Sequence, residues 1–180
     1  GAERNGKGRV DHHQRPDRVL QVEIGDDLGN DVAGLLERAR PDVLVIASPT
    51  GLHVEHALAG LDAGIPVVVD KPLALDHEGA VAVVRRAEAT GTPLTVFHNR
   101  RWDSEQLTLA RVLADGLLGD VHRFERRWER WRPVPKDRWR ENAVGRGGGL
   151  LLDLGPHLVD AAIQLFGPVA AVRAELRALT

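Results

Sequence analysis

The chain contains no cysteine, which excludes disulfide staples and thiolate catalysis and is compatible with a reducing compartment. It contains no methionine either, not even an initiator, and so reads as a fragment or a processed piece of something longer. No run approaches the ~18 uncharged apolar residues of a membrane span, and no basic-then-apolar signal segment opens the chain. Neither sign of charge dominates: 24 Lys and Arg against 26 Asp and Glu leave a net charge of −2 and a pI near 6.5. That balance gives no whole-chain attraction to nucleic acid or to an acidic membrane. The expectation is a cytoplasmic protein with neither of those partners. What is present, 43% hydrophobic and 28% charged residues over 180 positions, suits one ordinary globular domain or two small ones.

Residues 1–30 are the least regular. From Gly1 to Arg18 no apolar period appears among Gly, Arg, Asp and His, the composition of a poorly ordered segment. His12 and His13 have no third ligand at a useful spacing, so a solvated loop is the plainer reading than a metal site, and no metal is expected. Val19 to Ile24 alternates weakly, as a short strand does.

From Asp31 the pattern sharpens. Val32, Leu35, Leu36 and Ala39 recur at helical spacing, Pro41 stops the helix, and Val43 to Ala47 is a continuous apolar run, expected as a strand covered on both faces. Ser48-Pro49-Thr50-Gly51 is a turn, a helix follows from His53 to Ala63, and Gly64 ends it. Ile65 to Val69 is a second strand, Asp76 caps a helix reaching Thr90, Gly91 closes it, and Leu94 to Phe97 is a third strand. Strands alternating with helices through short connections argue for a parallel sheet with right-handed crossovers. Ligands of such sheets bind beyond the carboxyl ends of the strands.

That rule singles out Ser48 to His53, Asp70-Lys71-Pro72, and His98-Asn99-Arg100-Arg101-Trp102. Lys71 stands between a buried strand and a proline, which fixes where it emerges; an ordinary strand-end lysine remains the alternative. Asn99 and Arg100 read equally well as loop residues.

After Trp102 a helix capped by Asp103 or Ser104 is expected to turn Leu107, Leu109, Ala110 and Leu113 inward and to close at Gly116. Val121 to Arg132 places Phe124 and Trp128 among Arg123, Arg126, Arg127, Arg130 and Arg132, which reads as an antiparallel strand with one wet face. Glu125 and Glu129 interleave these arginines, so a salt-bridged surface is the plainer reading than an anion site. Pro133 to Asn142 is a loop containing Trp139 and Arg140. The change of pattern near residue 100 sets the domain boundary.

The chain then reaches G-G-G-L-L-L-D-L-G-P-H-L-V-D, from Gly147 to Asp160. The glycines permit close backbone approach or φ > 0. Asp153 and His157 stand four apart, one turn from each other on a helix, and Asp160 follows on the same side. A carboxylate beside an imidazole is acid–base equipment; a helix cap and a satisfied core histidine are the plainer alternative. Leu158 to Phe166 continues as an almost wholly apolar helix, expected to be buried and ended by Gly167-Pro168.

Three stretches together, Val45-Ile-Ala-Ser-Pro-Thr-Gly-Leu-His53, Asp70-Lys-Pro72 and Gly147-Gly-Gly-Leu-Leu-Leu-Asp-Leu-Gly-Pro-His157, resemble the Gfo/Idh/MocA oxidoreductases. Phe97-His-Asn-Arg-Arg-Trp-Asp103 and Arg138-Trp-Arg-Glu141 are most similar to the branch with NADP-dependent scyllo-inositol dehydrogenases. The likeness covers roughly residues 30–178, about half of a full-length member. It implies an α/β fold: a partial Rossmann-type parallel sheet over 31–101, then a partial substrate-binding α+β domain over 102–180 with an incomplete antiparallel sheet. It implies hydride transfer between NAD or NADP, with NADP favoured, and a secondary alcohol or ketone of a polyol or sugar. His157 is then the general base, Lys71 the donor to the substrate oxygen, and Asp153 the group that positions substrate and supports the imidazolium. Ser48, Pro49, Thr50, His53, Asp70, Pro72, Asn99 and Arg100 line the cofactor, with Trp139 and Arg140 as further contacts. The open sheet suggests a homo-oligomer. Two features depart from the family pattern: no G-x-G-x-x-G follows an apolar strand, since Gly6-Lys7-Gly8 lacks the third glycine, and Asp70 replaces the usual glutamate. A non-catalytic domain without independent cofactor binding therefore stands as the alternative function.

Overall fold

The structure, a computed structural model, describes residues 19–22 as backbone, and 32–129, 131, 133–134 and 147–177. His12, His13, Arg130, Arg132, Trp139 and Arg140 lie outside the described residues.

Four parallel strands, β1 (Val19–Val22), β2 (Val43–Ile46), β3 (Val67–Asp70) and β4 (Leu94–Phe97), form one sheet in the order β1-β2-β3-β4. The helices between them are α1 (Val32–Ala39), α2 (His53–Asp62) and α3 (His77–Thr90). The sheet therefore starts with Val19–Val22, which pairs with β2 in register from Val19↔Val43 to Val22↔Ile46, ahead of the boundary expected near residue 31.

The core lies on the side of the sheet faced by α2 and α3. Leu44, Ile46, Ala57, Leu61, Val69 and Val83 have no exposed surface and Val67 has 1%. Burial alternates along β2 and β3, with Val43, Val45 and Val68 half-buried. The expectation of strands covered on both faces holds on one face only, because no described helix covers the other. Gly60 brings α2 close to the sheet: a Cβ there would lie 2.7 Å from Leu44 Cδ2 and 2.8 Å from Val67 Cγ2. The ends of α3 follow the expected chemistry. Asp76 accepts a hydrogen bond from the Gly79 N–H at 2.8 Å, and Gly91 turns left-handed at φ 65°.

A short 3₁₀ turn at Asn99–Trp102 leads into α4 (Ser104–Ala114), and α5 runs from Leu150 to Phe166. The inward face of α4 differs from expectation. Gln106 is buried, and Leu109, Val112 and Leu113 are half-buried, whereas Leu107 and Ala110 are exposed. Gln106 is held there by Arg126 Nη1, which donates to its Oε1 at 2.9 Å, and its Nε2 donates to the Ala161 carbonyl at 3.4 Å.

Val121 to Glu129 is not a strand, and no antiparallel sheet occurs among the described residues. A strand exists only when a neighbour takes its backbone hydrogen bonds, and neither this segment nor 169–177 has one among the described residues. Instead the segment lies along α5. Phe124 meets Phe166 with ring centroids 5.1 Å apart, and Trp128 meets His157 at 6.4 Å. Four extended residues cover about 13 Å and nine helical residues about 13.5 Å, so the segment runs antiparallel to the helix axis in step with it. The arginines follow the salt-bridged reading: Arg123 and Arg127 both pair with Glu125, and Arg126 with Glu105.

The expected burial of Leu158 to Phe166 is corrected as well. His157 and Ala161 are the buried residues of α5, while Val159, Ile163 and Phe166 are 55%, 39% and 45% exposed. The helix rests on the 3₁₀ turn and α4 on one side, which leaves part of its apolar circumference uncovered by described residues.

Candidate active site

The strand register builds the site. Ile46 is opposite Val69 and Val69 opposite Val96, so the residues just beyond, Ser48, Lys71 and His98, emerge side by side at the carboxyl edge, about 4.8 Å per strand apart. The start of α5 covers that edge. Between them is a cavity of about 230 Å³ lined by Ser48, Thr50, His53, Asp70, Lys71 and Pro72 from the first turns, and by Asn99, Arg100, Gly147, Leu152, Asp153 and His157.

Lys71 reaches across 82 residues of sequence to Asp153. Its Nζ donates to the Asp153 carbonyl at 2.5 Å and to Oδ1 at 3.0 Å. The Lys71 side chain is 13% exposed and that of Asp153 39%. An ammonium has three donors, so one is left for a ligand. Asp70 Oδ1 accepts from the Lys71 backbone N–H at 3.0 Å and fixes the turn from the other side, next to the cis Lys71–Pro72 bond.

His157 stands 9% exposed at the cavity wall, and its Nδ1 is buried with no hydrogen-bond partner among the described residues. Burial pushes its pKa down to about 4, helped by the positive charges of Lys71 and Arg100 and opposed by Asp153. The ring is therefore neutral at neutral pH. The carboxylate expected to support this imidazole is engaged with Lys71 instead and acts on His157 through charge. Asp160, one turn on, accepts from Arg101 Nε at 2.9 Å and Nη2 at 2.5 Å. That guanidinium holds Asp160 below the usual carboxylate range, and His98 Nδ1 lies 3.8 Å from its Oδ2.

The remaining expected residues divide. Ser48 is 4% exposed and its hydroxyl is paired with His56 Nδ1 at 3.1 Å. Thr50 is buried beneath Gly147, whose φ of +85° and close approach leave no room for a side chain: a Cβ would stand 2.6 Å from Thr50 Cβ. Pro49 starts the 3₁₀ turn, its carbonyl accepting from Leu52 N–H at 2.9 Å, and does not line the cavity. His53 has both ring nitrogens occupied, by the Ser48 carbonyl at 2.8 Å and the Pro72 carbonyl at 2.7 Å. Arg100 pairs with Asp103 at 2.9 Å and lies over the Trp128 ring at 4.5 Å.

Trp128 was not among the sequence candidates. It sits between Arg100 and His157 and packs on both, within the cation–π range for the first. Its signal in the sequence was an aromatic in an otherwise charged run, which a half-wet strand explained equally well.

The arrangement fits one end of a dinucleotide. A cavity at the carboxyl edge of a parallel sheet, a buried imidazole nitrogen without a partner among the described residues and a close-packed glycine suit a flat ring beside a reacting carbon. Ser48, Thr50, Pro72, Asn99 and Arg100 would hold that ring. A glycine-rich phosphate cradle is not present among the described residues.

The chain has clear matches among known proteins. Residues 9–98 match the family described as "Oxidoreductase family, NAD-binding Rossmann fold", and residues 106–180 match the "GFO/IDH/MocA C-terminal domain". The first match begins well before residue 30, where the likeness was expected to start. The oxidoreductase YdgJ of Escherichia coli is 46% identical over 77% of this chain and 40% of its own length. The scyllo-inositol 2-dehydrogenase (NADP(+)) IolW of Bacillus subtilis is 38% identical over 76% of this chain and 38% of its own. A Yersinia pestis oxidoreductase structure superposes with a TM-score of 0.68 at 46% identity, covering 77% of this chain and 38% of that one. The chain thus spans about two-fifths of the length of these relatives. With both family domains matched in order along its length, the chain belongs to the Gfo/Idh/MocA oxidoreductases.

Proposed function

We propose that this chain carries the hydride-transfer end of an NAD(P)-dependent dehydrogenase acting on a secondary alcohol of a polyol or sugar such as an inositol, with NADP the preferred cofactor. The observation that supports it is the meeting of Lys71, Asp153 and His157 at one cavity edge. Oxidising a secondary alcohol removes a hydride from carbon and a proton from oxygen. When bound, the nicotinamide ring accepts the hydride. His157, neutral in its buried position, takes the hydroxyl proton, a role worth about 10²–10⁴-fold in rate. The third donor of Lys71 holds the substrate oxygen and stabilises the negative charge that develops on it. Asp153 keeps the ammonium aimed. In the reverse direction His157 returns the proton as the ketone is reduced.

NADP preference and inositol as substrate rest on the likeness to the scyllo-inositol 2-dehydrogenase (NADP(+)) of Bacillus subtilis. A second reading, a domain of this family without independent cofactor binding, is favoured by one feature: Gly6-Lys7-Gly8 is followed by no third glycine at the fingerprint spacing. Titrating the purified chain into NADPH and following nicotinamide fluorescence separates the two. Saturable binding supports the dehydrogenase reading and sinks the inert one; no binding up to millimolar cofactor does the reverse.

A further inference from the structure

Two glycines just ahead of α5, Gly147 and Gly149, have positive φ, +85° and +113°, conformations that glycine adopts without strain. Their surroundings differ. A Cβ on Gly149 would meet nothing within 4 Å, whereas one on Gly147 would stand 2.6 Å from Thr50 Cβ, 3.1 Å from Thr50 Oγ1 and 2.7 Å from Leu75 Cδ2. Thr50 belongs to the turn after β2, and Leu75 follows the Lys71–Pro72 turn after β3, so Gly147 rests against both strand-end turns. Thr50 cannot give way: it is buried, and its carbonyl accepts the His53 backbone N–H. Leu75 is partly exposed, and the end of its side chain can turn aside.

We propose that Gly147 is a positioning residue of the reaction site: its bare Cα is the seat on which the start of α5 rests against the β2 and β3 turns, and that seat brings Asp153 within reach of Lys71. Gly149 caps α5 with no side-chain hydrogen bond, and the Arg101–Asp160 pair grips the helix only two turns beyond Asp153. The first turn of α5 is therefore placed by what its approach segment rests on. Carbon atoms in contact lie about 3.5–4.0 Å apart, so a side chain at 147 would force the approach segment and the β2 turn to part by roughly 1 Å. The Lys71 Nζ to Asp153 Oδ1 bond is 3.0 Å long, and such bonds weaken beyond about 3.2 Å. A displacement of that size breaks it. The inference rests on the dehydrogenase reading for what Lys71 and Asp153 do, yet its test needs neither cofactor nor turnover.

That test is the rate at which an amine reagent modifies Lys71, read site by site by mass spectrometry, with folding checked by circular dichroism under the same conditions. In Gly147→Ala the rate is expected to rise several-fold over wild type, because Lys71 loses the carboxylate and the helix end that cover it. Gly149→Ala carries backbone strain without the contact, and its Lys71 is expected to stay protected. Thr50→Gly removes the side chain that the new methyl would strike, so the double variant Thr50→Gly/Gly147→Ala is expected to return to the rate of Thr50→Gly alone. A wild-type rate in Gly147→Ala overturns the proposal, as does an equal rise in Gly149→Ala or a double variant as fast as Gly147→Ala. Should Gly147→Ala not fold, a folded double variant with Lys71 protected supports the seat, and a double variant that also fails to fold overturns it. Failure of NADPH to bind, by contrast, counts against the dehydrogenase reading and leaves these rates as they stand.

Discussion

Lys71 is held by its side chain, which donates twice to Asp153, and by its backbone N–H, which donates to Asp70. Replacing it should separate stability from function. Lys71→Ala leaves a carboxylate that is 39% exposed and stays hydrated, so unfolding free energy should change by less than about 1 kcal/mol. Turnover should fall by about 10²–10³-fold, the scale of losing one donor to a developing oxyanion. Paired denaturant melts and steady-state rates check both halves. His157 makes a pH prediction. Its folded pKa of about 4 lies below the ordinary histidine value of 6.5, so between those two values the unfolded chain binds more protons than the folded one. The stability contribution of this group therefore falls as pH drops through that window and is flat above it. An NMR titration should place the His157 midpoint near 4; a midpoint at or above 6.5 would contradict the burial argument. At this scale the sequence exposed Lys71, Asp153 and His157 as residue types out of place in apolar or strand-end settings. It could not show that Lys71 and Asp153 meet, because that pairing spans the whole crossover topology, nor that Trp128 packs on His157.

Helix α5 is held as an element by contacts beyond its own sequence. Arg101, in the 3₁₀ turn after β4, takes Asp160 of α5 with two hydrogen bonds. Asp160→Asn removes the charge and should destabilise the chain by about 1 kcal/mol, read as a shift in denaturant midpoint. The sign with pH is opposite to that of His157. Arg101 lowers the Asp160 pKa, so the pair stabilises fully above the unfolded carboxylate value and is lost as pH falls through the folded one. The wild-type and Asp160→Asn curves should converge at low pH. Elements of strong local pattern were legible: α3 begins and ends at Asp76 and Gly91 as their capping chemistry requires. The segment 121–129 was not, since alternation along a chain states which side chains want burial but not whether a neighbouring strand exists. Here α5 supplies the apolar partner for Phe124 and Trp128 instead.

Across the whole molecule, the parallel register is what turns three separated turns into one cavity, and the core beneath it sets the register. Leu44 and Val67 meet under Gly60, where α2 approaches the sheet. Leu44→Ala, at a position with no exposed surface, should cost about 2–5 kcal/mol, measured by chemical denaturation. The fold class followed from alternating strand and helix patterns, but coverage of the sheet did not. An apolar run such as Val43 to Ile46 reads the same whether one face is covered or two. The claim on which the rest depends is that His157 removes the alcohol proton beside Lys71 and Asp153. It is tested most directly by the rate of NADP reduction with an inositol, wild type against His157→Ala. The expected result is turnover by the wild-type chain and a loss of about 10²–10⁴-fold in the variant, with cofactor affinity nearly unchanged. No turnover by the wild-type chain, or equal rates in the two, would contradict it.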